Sequence, residues 1–113
     1  MPVKLDATYH VGTGNVRVSV IVGNKQLGTS RARIGSKVLH TGDFDRVLVG
    51  KGSTLKGKKL SLKTAVTDVN DKSNLTSVRY RIDGGPKPHT WDLQATVAEN
   101  GDSMIYRFNV SFA

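Results

Sequence analysis

The chain has 113 residues, 37% of them hydrophobic and 23% charged, with 17 Lys and Arg against 9 Asp and Glu and no cysteine. That length holds one domain rather than two, and the apolar content is too high for a disordered chain. The lack of cysteine excludes a disulfide framework, a thiolate metal site and a cysteine nucleophile. No apolar run approaches the roughly 20 residues that cross a bilayer as a helix, and "MPVKLDATYH" lacks the apolar stretch of a signal peptide, so no membrane insertion is expected.

The dominant period along the chain is two. Residues 3–11 and 16–22 alternate, the second as "VRVSVIV", with Val16, Val18, Val20 and Val22 on one side. A loop over Gly12–Asn15 would join them as a hairpin that sets Val11 against Val16, Tyr9 against Val18 and Leu5 against Val22. Strands follow at 25–34 and 44–49. Residues 52–59 read "GSTLKGKK", the spacing of a phosphate-binding loop with Lys59 where Ser or Thr should hold magnesium. Such a loop must open a helix, whereas "LSLKTAV" after it alternates as a strand over 58–67, so the segment reads as a basic connection.

"DVNDKSN" offers Asp68, Asn70, Asp71 and Asn74, oxygen ligands that suit calcium, but the spacing of a calcium loop is missing. These residue types are common in turns, because their side chains bond their own backbone, and a polar turn is expected. "VRYRI" gives a strand over 75–82, and "DGGPKP" a turn, since Pro86 and Pro88 cannot donate to a ladder. In 89–98 and 103–112, Asn100-Gly101 predicts a type I′ hairpin with Val97 facing Met104, Ala95 facing Tyr106, Leu93 facing Phe108 and Trp91 facing Val110.

Seven to eight strands with turn signals at short intervals predict an all-β fold, a single antiparallel β-sandwich domain over 1–113 of immunoglobulin-like or related topology. The Cys-Trp-Cys hallmark of immunoglobulin domains is absent, so the likeness is one of architecture. His10, His40 and His89 have no metal-ligand spacing, and no nucleophile elbow occurs; no enzyme, cofactor or metal is expected. Trp91 belongs to the core.

Charge is the remaining signal. Residues 25–63 hold ten basic groups and two acids, Asp43 and Asp45, and the other residues hold seven of each sign. Two functions compete. One is a non-enzymatic interaction or structural module that contacts another protein or a second copy, by strand addition at an exposed edge or through its loops. Lysines would then protect the edge from unwanted pairing. The alternative is a binder of nucleic acid or acidic glycan through Arg31, Arg33, Lys37, Lys51, Lys56, Lys58 and Lys59. A further basic ridge of Arg79, Arg81 and Arg107 requires strands 75–82 and 103–112 to be neighbours. Otherwise these arginines pair with Asp or Gln, as Arg107 with Gln94.

Overall fold

Alternation between apolar and polar residues resolves into strands throughout the computed structural model, which describes residues 3–70 and 72–113. The strands are β1 (Val3–Tyr9), β2 (Asn15–Val22), β3 (Leu27–Ile34), β4 (Lys37–Gly42), β5 (Phe44–Lys51), β6 (Lys59–Thr67), β7 (Leu75–Asp83), β8 (His89–Thr96) and β9 (Ser103–Phe112). A single helical turn, α1 (Gly52–Leu55), joins β5 to β6. One sheet has the order β1-β9-β6-β3-β4 and the other β5-β2-β7-β8. All pairings are antiparallel except β1 with β9, which is parallel.

The sandwich and its antiparallel character agree with the reading of the sequence, and eight of the nine strands were legible. The exception is β4. Its alternation is broken by a bulge against Ala32 and Arg33. There Leu39 and His40 are both partly buried, and the His40 ring meets Phe44 edge-on at 4.8 Å. A two-residue turn at Gly35-Ser36, with φ +59° at Gly35, closes β3 onto β4 in the manner of a type II′ hairpin.

Neither predicted hairpin forms. β8 pairs with β7, and β9 pairs with β6 and β1. The turn at Asn100-Gly101 exists, closed by Asp102 N–H donating to the Glu99 carbonyl at 3.1 Å. Of its two central residues only Gly101 has positive φ, at +91°, which is the pattern of a type II turn. Type I and II turns splay the flanking strands instead of matching their twist, so the chain crosses to the opposite sheet. β1 likewise crosses to β9 and does not pair with β2. The apolar residues nonetheless meet as neighbours across the gap between the sheets. The Trp91 ring lies 5.0 Å from Phe108, and Tyr80 stacks on Phe108 at 4.6 Å. In the immunoglobulin arrangement the last two strands are adjacent in one sheet. Here β8 and β9 lie in different sheets, so the likeness stops at the two-layer architecture.

The core contains Val16, Val18, Leu60, Leu62, Val78, Tyr80, Ile82, Tyr106, Phe108 and Val110, each at most 1% exposed. Two hydroxyl clusters cross it. Ser30 Oγ lies 2.8 Å from Thr64 Oγ1, which lies 2.7 Å from the Tyr80 hydroxyl. Thr76 Oγ1 donates to the Ala95 carbonyl at 2.7 Å and sits 2.5 Å from the Tyr106 hydroxyl. Burial raises the Tyr80 phenol to about 12 and also raises Tyr106. At the rim, the Tyr9 hydroxyl donates to the Lys87 carbonyl and accepts from Gly85 N–H, both at 2.9 Å, which ties the end of β1 to the β7–β8 turn.

Candidate functional site

Because side chains alternate along a strand, burying Leu60, Leu62, Thr64 and Val66 of β6 sends Ser61, Lys63 and Ala65 to the outer face. The same parity turns Lys4 of β1, Arg107 of β9 and Arg31 of β3 outward. The register then aligns them. Lys4 stands opposite Arg107, Arg107 opposite Lys63, and Lys63 opposite Arg31. Strands in a sheet are about 4.8 Å apart, so these cations form one row about 14 Å long. One residue pair further along come Asp6, Asn109, Ser61 and Arg33; Lys59 lies on the same face beyond them, beside Ser111.

All six cations, Lys4, Arg31, Arg33, Lys59, Lys63 and Arg107, are exposed. A shallow groove of about 440 Å³ is lined by five of them, with Ser61 and Asn109 as further polar groups. Among the described residues the face has one carboxylate, Asp6, and its Oδ1 already accepts from Asn109 Nδ2 at 3.0 Å. Among the described residues the ion pairs are Arg79–Asp92 at 2.7 Å and Arg81–Asp83 at 3.8 Å, both on the outer face of the other sheet. Asp92 raises the Arg79 guanidinium through that hydrogen bond and its charge. The two outer faces therefore differ: one neutralises Arg79 and Arg81, and the other leaves its six cations without an ion pair among the described residues. The predicted ridge of Arg79, Arg81 and Arg107 does not exist, because Arg107 belongs to the opposite sheet. Gln94 of β8 likewise lies in the other sheet and does not face Arg107.

Of the seven basic residues singled out in the sequence, Arg31, Arg33 and Lys59 share this face. Lys37 opens β4 opposite Ile34, which is itself opposite Leu60, so Lys37 lies at the end of the sandwich where β6 begins. Lys51 ends β5 in the other sheet, and Lys56 and Lys58 belong to the connection between α1 and β6. Lys4, Lys63 and Arg107 were not singled out as contacts. Their outward parity was legible, but Lys4 and Arg107 lie far from the basic segment in sequence, and only the β1–β9–β6 pairing brings them beside it.

Four of the amides in the phosphate-loop spacing are already used within the fold. Gly52 N–H donates to the Gly14 carbonyl, Lys56 N–H to Gly52, Gly57 N–H to Phe112 and Lys58 N–H to Leu55, at 2.8–3.1 Å. Leu55 of this segment is buried in the core. In the 68–74 loop, Asp68 Oδ1 accepts from Asn70 N–H at 3.2 Å and Asn70 Oδ1 from Lys72 N–H at 3.1 Å. Asn74 Nδ2 donates to the Ala98 carbonyl at 3.3 Å, while Asp71 lies outside the described residues. The expected turn chemistry is thus present. Asp68 is buried, and its Oδ2 has no hydrogen-bond partner among the described residues. Among the described residues no three His, Cys, Asp or Glu are grouped to hold a metal ion, and no helix is long and apolar enough to cross a membrane.

Comparison of the chain with protein-family models, with curated proteins and with solved structures finds no match.

Proposed function

We propose that this protein is a non-enzymatic polyanion-binding module whose contact surface is the outer face of the five-stranded sheet. One observation carries the reading: the row Lys4, Arg107, Lys63, Arg31, in which each cation is the direct ladder neighbour of the next and none is ion-paired among the described residues. Like charges directly opposite on neighbouring strands are unfavourable, by about 0.2–1 kcal/mol per pair. A fold that needed only solubility would intersperse acids, as the other sheet does with Asp83 and Asp92. A bound polyanion reverses the sign of the term, since every cation then gains a partner. Ser61 and Asn109 add neutral hydrogen-bond donors to the same groove.

Binding of this kind is led by charge and weakens steeply with salt. The test is a salt series against two polyanions, duplex nucleic acid and heparin, with Lys63→Gln beside the parent chain. Affinity for at least one is expected to fall linearly in log–log form and to drop in the variant. Absence of binding to both at 50 mM salt would refute the proposal.

A second reading, contact with another protein or a second copy, draws on one observation. Ile21 and Leu27 are 53% and 65% exposed beside a groove of about 510 Å³ between the sheets. The free edges favour it less. β4 and β5 are edge strands, and they carry Lys37 and Lys51, exposed lysines of the type that block edge pairing. Concentration-dependent self-association measured by light scattering would support this second reading.

A further inference from the structure

The polyanion reading leaves open which polyanion the face takes. Resting on that reading, we infer that the ligand is double-stranded nucleic acid, held by its phosphate backbones and without base readout.

The first reason is the layout of the charges. Four cations form a row across the strands. Arg33 and Lys59 stand off that row by two and four residues along β3 and β6, about 7 and 14 Å at about 3.4 Å per residue. The array is therefore two-dimensional, about 14 Å in each direction. A linear acidic glycan follows one line and reaches the row or the residues beyond it, but not both. A duplex carries two phosphate strands and one charge per about 1.7 Å of axis, which populates a patch of this shape.

The second reason is the chemistry between the charges. Outward positions around the row are Thr29, Ala65 and Ile105 on one side and Asp6, Asn109, Ser61 and Arg33 on the other, none of them aromatic. The rings of Tyr9, Phe44, Tyr80, Tyr106, Phe108 and Phe112 are buried, and Trp91 packs on the core. Single-strand binders interleave aromatic platforms with cations so that bases can stack. This face has the cations without the platforms. It is also an open sheet surface, and among the described residues no helix beyond the four-residue α1 exists to enter the major groove. Its donors suit phosphate oxygens, which position a protein on a duplex without reading sequence.

The test is fluorescence anisotropy at 50, 100 and 200 mM salt. The probes are a labelled 20-base-pair DNA duplex, either of its single strands, and heparin of matched length. With six phosphate contacts the duplex slope is expected near −5, so affinity should fall about a thousandfold between 50 and 200 mM salt. The double variant Lys63→Gln/Arg107→Gln should make the slope shallower by about 2. Arg17→Gln, on the outer face of the other sheet, should leave it unchanged. Circular dichroism establishes that each variant is folded; if Arg107→Gln is not, Lys63→Gln/Arg31→Gln replaces the double variant. The duplex should bind more tightly than the single strand and heparin at every salt concentration. If heparin or the single strand binds as tightly as the duplex, the duplex assignment falls and the polyanion reading stands. If nothing binds at 50 mM, or if duplex binding ignores the double variant, both fall.

Discussion

Replacing Lys63 with Gln should stabilise the protein at low salt. Lys63 has two like-charged direct neighbours, Arg107 on β9 and Arg31 on β3, and no ion-pair partner among the described residues. Each such pair costs about 0.2–1 kcal/mol. Since all three side chains are exposed and the heads can fan apart in water, the lower half of that range applies. The two pairs together then cost about 0.5–1 kcal/mol. For a domain of this length 1 kcal/mol moves Tm by roughly 3–6 °C, so Lys63→Gln should melt about 2–5 °C higher. The gain is electrostatic and must be screened. At 10 mM salt the Debye length is about 30 Å and the full effect is expected; at 1 M it is about 3 Å and the two Tm values should converge. Thermal melts followed by circular dichroism at both salts decide it. A variant that melts at or below the parent at 10 mM salt would refute the claim that the row is unneutralised, and would point to an acid that screens it. Saturating polyanion should reverse the order, because the parent then has one more favourable contact than the variant.

The remaining predictions concern the core and one turn. Burial raises Tyr80 to about 12, against about 10 in the unfolded chain, so the unfolded state loses its proton first as pH rises. The stability that Tyr80 contributes is complete below pH 10 and is lost between pH 10 and 12. At pH 11 the loss should be about 1.4 kcal/mol, seen as a fall in the urea midpoint, and a flat midpoint from pH 9 to 11 would contradict it. Thr64→Val keeps the shape but removes the hydroxyl that joins Ser30 to Tyr80, so it should cost about 1–3 kcal/mol in urea unfolding, whereas Thr67→Val on the exposed side of β6 should be near neutral. Gly84→Ala should unfold the protein at moderate temperature. Gly84 has φ +103°, and an added Cβ would strike the backbone carbonyl of Asn15.

The strands and the inward faces were legible because burial imposes a two-residue period that survives any arrangement of neighbours. Val16, Val18, Leu60, Leu62, Tyr80 and Phe108 were all readable as core on that ground alone, and all are buried. Partner choice was not readable from the same signal. The pattern that makes Trp91, Leu93 and Ala95 face Val110, Phe108 and Tyr106 across a hairpin also makes them face across the gap between two sheets. Only the backbone of the turn separates the two cases. At Asn100 the sequence favours positive φ, but the chain takes it at Gly101 alone. β4 escaped for the opposite reason: a bulge places Leu39 and His40 on the same side and erases the period over a strand of six residues.

The crossing of β1 to the far sheet also completes the candidate site. In a β1–β2 hairpin, Lys4 would lie on the sheet where Arg79 and Arg81 already have Asp92 and Asp83. In a β8–β9 hairpin, Arg107 would stand beside Gln94, and β6 would lose the neighbour that brings Arg107 opposite Lys63. The sum of charges outside residues 25–63 is zero, yet two of the cations counted in that sum, Lys4 and Arg107, join the basic face, and of the described acids that balance them only Asp6 follows. Asp83 and Asp92 stay with the opposite sheet, and Asp102 and Glu99 sit in the turn that carries the chain across, where Asp102 Oδ2 accepts from Glu99 N–H at 3.1 Å. Segregation of charge by face is therefore sharper than its segregation along the chain. It arises from pairing between the first strand and the last, the contact of longest sequence separation in the sheet.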